Sequence, residues 1–170
     1  MRLINLVRFA SISILSLTVL ASCEIPQDSQ VNGEGTNLSS SQNAKLKFNT
    51  TENGIAIKGA DPVAYFKEGQ AIEGSKEFSY EWGNATWLFE SAEHRDLFAA
   101  NPEAYAPQYG GYCAWAVSQN TKETVDPKVW KIVDGKLYLN YNKSVQRTWS
   151  RDISGNIAQA DAYWPRLSKR

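Results

Sequence analysis

Hydrophobic residues dominate one uncharged run near the start of the chain and form short, punctuated groups from about residue 45 onward. Within residues 77–90, Phe78, Tyr80 and Trp82 alternate with polar residues, Gly83-Asn84 interrupts, and Thr86-Trp87-Leu88-Phe89 follows. Two aromatic-rich runs around a Gly-Asn break predict a β-hairpin. Residues 131–133 and 136–140 flank Asp134-Gly135 and predict a second one. Residues 45–49 and 55–58 can pair as short strands around Asn53-Gly54. Asp61-Pro62 opens a turn or short helix through Val63, Ala64, Tyr65 and Phe66. Ser91 is a predicted N-cap, with Glu93 in the first turn, for a helix that carries Ala92, Leu97 and Phe98 and stops before Asn101-Pro102. Residues 102–106 predict one further turn, ended by Pro107. Gly110-Gly111 leads into a short buried helix, and residues 120–128 read as a polar loop. Residues 144–151 and 156–164 predict C-terminal helices, and no internal repeat is evident. The fold class is α+β: small antiparallel β-hairpins packed with short helices in a single domain, residues 45–170.

The first apolar run has a different meaning. Arg2 and Arg8 precede an uncharged stretch over residues 9–21, which is too short for a spanning helix of about 20 residues. Leu20-Ala21-Ser22-Cys23 follows. Small residues directly before a cysteine resemble the lipobox of bacterial lipoproteins, in which the cysteine thiol is acylated and becomes the mature N-terminus. Residues 1–22 are thus read as a lipoprotein signal peptide and Cys23 as the lipidation site. An ordinary signal peptide cut near Ala21 is the alternative. Residues 23–44 are rich in Ser, Asn, Gln and Gly and read as a flexible tether. The expected location is extracytoplasmic, on the periplasmic side, with the membrane as partner through the anchor. Glu24 rather than aspartate follows Cys23, which favours the outer membrane in a cell that has one.

Net formal charge is zero, which argues against nucleic acid as a partner. Cysteine usage sharpens the chemistry. With Cys23 acylated, Cys113 is the only thiol left among two cysteines, and no internal disulfide can form. A free thiol in an oxidising compartment is a buried apolar residue, a metal ligand or a reactive group. Cys113 follows Gly110-Gly111-Tyr112 and stands where a helix can begin, so backbone N–H groups are expected to favour its thiolate. His94, the one histidine, falls in the first turn of the helix after the first hairpin. If the fold joins them, Cys113 and His94 form a thiolate–imidazole couple or two ligands of a soft-metal site. Asp61, Glu90 and Glu93 are further oxygen ligands, or caps and surface carboxylates. No Gly-rich phosphate loop, nucleophile elbow or Cys-x-x-Cys occurs, so no nucleotide cofactor is expected.

Residues 55–165 resemble the YHS domain family, in its longer exported bacterial branch. The likeness rests on Gly59-Ala60-Asp61-Pro62-Val63-Ala64-Tyr65-Phe66, Ser91-Ala92-Glu93-His94-Arg95-Asp96-Leu97-Phe98 and Asn101-Pro102-Glu103-Ala104-Tyr105. Tyr109-Gly110-Gly111-Tyr112-Cys113-Ala114 and Asp134-Gly135-Lys136-Leu137-Tyr138-Leu139-Asn140-Tyr141 complete it. Short YHS modules are regarded as metal-binding. Their pattern has a cysteine after Asp-Pro-Val, another after the second hairpin strand, and a Cys or His four residues later. Here those positions hold Ala64, Glu90 and His94, so only the last keeps a ligand of that pattern. In the exported branch Gly-Gly-Tyr-Cys is characteristic, and some members look as if selenocysteine replaces the residue matching Cys113.

Together these readings describe a lipid-anchored protein that binds a soft transition metal ion, copper or zinc, through Cys113 and His94, with Asp61 or Glu90 completing the site. A thiol-dependent redox enzyme using Cys113, with His94 as base, is the alternative. A non-catalytic protein-binding module is the third reading, and on balance the residues favour binding over catalysis.

Overall fold

The structure is a computed structural model and describes residues 48–170. The signal peptide, Cys23, the tether and residues 45–47 of the first expected strand lie outside the described residues. Among the described residues, six helices and two small antiparallel sheets form an α+β arrangement, as the hydrophobic pattern predicts. The helices are α1 (Ala64–Lys67), α2 (Ala92–Ala100), α3 (Pro102–Tyr105), α4 (Ala114–Ser118), α5 (Lys143–Trp149) and α6 (Ile153–Leu167). The sheets are the hairpins β1 (Ser75–Trp82) with β2 (Ala85–Phe89), and β3 (Asp126–Val133) with β4 (Lys136–Asn140).

Both hairpin turns use left-handed backbone. Gly83 and Asn84 have φ of 61° and 60°, and Asp134 and Gly135 have 49° and 71°. Two left-handed residues match the right-handed twist of the strands they join. Tyr80 pairs with Trp87 in the first hairpin, and Lys131 with Tyr138 in the second. Gly83 has a packing reason as well, since a Cβ there would strike the ring of Phe48.

A unit occurs twice, which the sequence does not display. Each copy opens with a 3-10 turn rich in left-handed residues, Ile57–Gly59 and then Gln108–Gly111. Each continues with a buried residue, Asp61 or Cys113, and a short helix, α1 or α4. A hairpin follows with strands of eight and five residues in both copies. Each ends in a helix whose N-cap side chain accepts a backbone N–H: Ser91 from His94, and Asn142 from Val145. The repetition escapes sequence reading because it resides in turn conformation and register, and few side chains recur.

The core has two parts. The first gathers Phe48, Val63, Tyr65, Trp87, Phe89, Phe98, Leu137 and Leu139. Phe98 of α2 lies 5.1 Å from Trp87, 5.2 Å from Phe89 and 5.7 Å from Trp82, between ring centroids. The second gathers Tyr109, Ala114, Val117, Tyr138, Trp149, Ala160 and Leu167. β4 serves both, because side chains alternate along a strand: Leu137 and Leu139 enter the first cluster and Tyr138 the second.

Four expectations are corrected. Residues 55–58 form isolated bridges and a 3-10 turn instead of a strand, because Ile57 and Lys58 hold φ of 40° and 56°. β3 begins at Asp126, inside the expected polar loop, since Val129 and Trp130 pack inward. α5 begins at Lys143 and ends at Trp149. α6 begins at Ile153, where Asp152 accepts the N–H of Gly155 at 2.9 Å, and it runs through Pro165 to Leu167. Among the described residues no helix is long and apolar enough to cross a membrane.

Candidate functional site

Asp61 is fully buried between the first 3-10 turn and α1. A carboxylate there requires partners for each oxygen, because an unpaired buried charge is prohibitively costly. The chain supplies them. Oδ1 accepts the N–H groups of Val63 at 2.8 Å and Ala64 at 3.2 Å, which folds the Pro62 turn back on its own aspartate. Oδ2 accepts the N–H of Glu90 at 3.0 Å and faces His94 Nδ1 at 2.7 Å. One carboxylate thus ties the start of α1 to the end of β2 and the first turn of α2.

His94 is 6% exposed, so it is a buried residue and not a helix-surface histidine. Its backbone N–H is capped by Ser91 Oγ at 3.2 Å, which fixes the helix turn that carries the ring. Asp61 as a carboxylate only accepts, so the network assigns the ring proton to Nδ1. Glu90 Oε1 lies 3.5 Å from Nδ1, and Glu68 Oε1 lies 3.7 Å from Nε2. Three carboxylates therefore surround one imidazole. Among the described residues, no Lys or Arg pairs with any of the three. The ligand atoms of Asp61, Glu90 and His94 lie within 4.8 Å of one another. Glu93 is exposed on α2 and stands outside this group.

Cys113 occupies a different place. It is 1% exposed and precedes α4. Its Sγ accepts the N–H of Tyr141 at 3.3 Å and contacts Asn140 Oδ1 at 3.7 Å. It lines a small cavity of about 230 Å3 with Trp115, Ala116, Glu123, Tyr141 and Val145. The expected favouring of thiolate is overturned. Burial pushes the thiol up, and the Glu123 charge adds to this, while N–H groups of Ala116, Tyr141 and Trp115 oppose it without prevailing. A helix of five residues supplies too little field to offset the lost hydration.

The structure therefore brings Asp61, Glu90 and His94 together and leaves Cys113 out of the group. The repeated unit explains the separation. Cys113 stands in the second copy where Asp61 stands in the first, and the N–H of Tyr141 reaches it as that of Glu90 reaches Asp61. The second-copy counterpart of His94 is Val145, which shares the cavity with Cys113. Glu68 was not foreseen. It follows α1 and has no local motif, and only the return of α2 beside α1 gives it a role. No family model, curated protein or solved structure matches this chain.

Two outcomes follow. Asp61→Asn keeps one acceptor oxygen for four hydrogen-bonding contacts and aims an amide at N–H groups. It should destabilise the protein by about 2–4 kcal/mol, read as a lower urea midpoint at unchanged slope. A loss under about 1 kcal/mol would show that Asp61 is not the anchor described. For Cys113, the raised folded value means that its thiol form is stabilised at neutral pH and that this contribution fades as pH rises through that value. Alkylation near neutral pH should run at least about tenfold slower in the native protein than in denaturant. Equal rates would overturn the assignment.

Proposed function

We propose that this chain is a lipid-anchored, extracytoplasmic YHS-type protein whose domain binds a divalent transition metal ion at Asp61, Glu90 and His94. The observation that carries the reading is the charge balance of the site. Three carboxylates meet one imidazole, and among the described residues no Lys or Arg pairs with any of them. A cation relieves that repulsion. His94 Nδ1 lies 2.7 Å from Asp61 Oδ2 and 3.5 Å from Glu90 Oε1. Ligands bonded to one ion at about 2.0–2.2 Å stand roughly 3 Å apart, so the spacing fits.

The donor set narrows the ion. Two carboxylates and an imidazole suit zinc, cupric copper or manganese better than cuprous copper, which prefers thiolate. Cys113 is not among the donors, so the soft-ion expectation gives way to a borderline divalent ion. A bound ion would act as a Lewis acid or as a cargo held for a partner. The residues' own work is to hold and orient. Before an ion binds, Asp61 holds the imidazole at Nδ1, and Ser91 fixes the helix turn that carries it; with Nδ1 given to an ion, the ring proton would stand on Nε2, which faces Glu68 Oε1 at 3.7 Å. The ion competes with the Nδ1 proton, so uptake releases protons and weakens as pH falls.

The family resemblance lends support of its own. The three positions that its ligand pattern marks are Ala64, Glu90 and His94. The backbone N–H groups of Ala64 and Glu90 and the ring of His94 all bond Asp61. The thiol-dependent redox reading has less behind it, since Cys113 is buried with its thiol pushed up.

Calorimetric titration of the metal-free protein with zinc, cupric and manganous ions tests the site. One ion should bind per chain, Glu90→Gln and His94→Gln should each weaken binding at least about tenfold, and Cys113→Ala should not. Absence of binding by the unaltered protein, or full affinity in His94→Gln, would sink the proposal. The anchor has its own test: Cys23→Ser should move the protein from the membrane fraction to the soluble one. Retention in the membrane would argue against acylation at Cys23.

A further inference from the structure

The chain is neutral as a whole, yet its charges are not spread evenly. From Lys128 to Arg147 there are five cations and one carboxylate, Asp134, whereas residues 48–107 carry ten carboxylates against four cations. All five cations, Lys128, Lys131, Lys136, Lys143 and Arg147, are exposed. Among the described residues none of the five forms an ion pair.

Packing gathers four of them along one seam. α5 runs beside β3: Lys143 Nζ donates to the Lys128 carbonyl at 3.5 Å, and Gln146 Nε2 donates to the Trp130 carbonyl at 2.8 Å. Helix and strand therefore advance in the same direction, and Arg147 comes level with Lys131. Lys143 and Arg147 are four residues apart and share one face of α5. Val145 and Trp149 turn the rest of that helix toward the core, and the helix holds no acidic residue. Carboxylates flank the seam at its ends, Asp126 and Glu73 beside Lys128 and Asp134 at the hairpin turn. Like charges four apart destabilise a helix, and a surface of opposite sign reverses that effect. Tyr141, two residues before Lys143, is 49% exposed. An exposed tyrosine next to cations matches the composition of surfaces that lie at the head-group level of a bilayer.

We propose that this seam rests on an anionic phospholipid surface, with Lys128, Lys131, Lys143 and Arg147 against the phosphate groups. The proposal rests on the reading of Cys23 as a lipid anchor. Residues 24–47 separate Cys23 from the first described residue, Phe48. A flexible segment of that length spans about 25–30 Å on average, so the domain is held where its own surface meets the head groups. Each Lys or Arg near an anionic surface strengthens binding about fivefold, and the attraction fades within about 8 Å at physiological salt. Four such residues bind a free protein weakly, but they orient a tethered one, for which the surface is always at high effective concentration. An acidic protein offers the same charges without that standing proximity.

The test uses the chain as the cell makes it, purified in detergent and reconstituted into vesicles of phosphatidylcholine with or without phosphatidylglycerol. Acetylation of each lysine is followed by mass spectrometry. Phosphatidylglycerol should slow acetylation of Lys128, Lys131 and Lys143 at least about threefold and leave Lys67 and Lys76 of the first unit unchanged. High salt should remove the protection. Reversing two exposed charges together, Lys143→Glu with Arg147→Glu, should abolish the protection of Lys131. The proposal fails if phosphatidylglycerol protects no lysine, slows all of them alike, or protects Lys131 equally in the charge-reversed chain. Protection that appears without vesicles as protein concentration rises would assign the seam to the acidic half of a second copy and overturn it as well. Flotation with pure phosphatidylcholine vesicles reports the anchor alone. A chain that floats with its lysines unprotected under phosphatidylglycerol keeps the anchor and loses this proposal, and a chain that does not float loses both.

Discussion

A fully buried carboxylate is the constraint around which the first half of the domain is arranged. Asp61 cannot be left without partners at that depth, and its partners come from two places along the chain. Two backbone N–H groups are local and shape the Asp-Pro turn. The other N–H and the imidazole arrive from beyond the first hairpin. The same bonds that neutralise the desolvation cost also fix the distance between α1 and α2, and with it the cluster of Glu68, Glu90 and His94. Fold and candidate site are thus parts of one hydrogen-bonded arrangement.

The second unit shows what the same backbone does with a different central residue. There the N–H that follows β4 meets a thiol instead of a carboxylate. A neutral thiol needs no counter-charge at depth, so the positions around it are free to be apolar, and Trp115, Ala116 and Val145 take them. Asn140 contacts the sulfur through Oδ1 while its Nδ2 finds no protein partner. One copy is therefore polar and gathers three carboxylates around an imidazole, and the other holds its thiol among mostly apolar side chains, with Glu123 and Tyr141 at the edge. The difference follows from Asp61 and Cys113 themselves.

Joining the two units is a matter of alternation. β4 is buried on both faces, and successive residues enter different clusters. α6 packs on α4 and completes the second cluster, which places Trp164 beside Tyr109.

The amino-acid sequence by itself determined the local elements. Gly83-Asn84 and Asp134-Gly135 set both hairpins, because only left-handed residues turn twisted strands so tightly. Ser91 set the start of α2 and, through it, the position of His94. The α+β class followed from those periods. Tertiary structure alone decided which polar residues meet. Asp61 and His94 are brought together across a whole hairpin, and nothing in their spacing distinguishes that pairing from the one expected between His94 and Cys113. Burial also decided the state of Cys113, since lost hydration is a property of surroundings and not of the residues next in the chain. Local chemistry is written within a few residues, whereas long-range pairing and solvation depend on how the hairpins and helices pack.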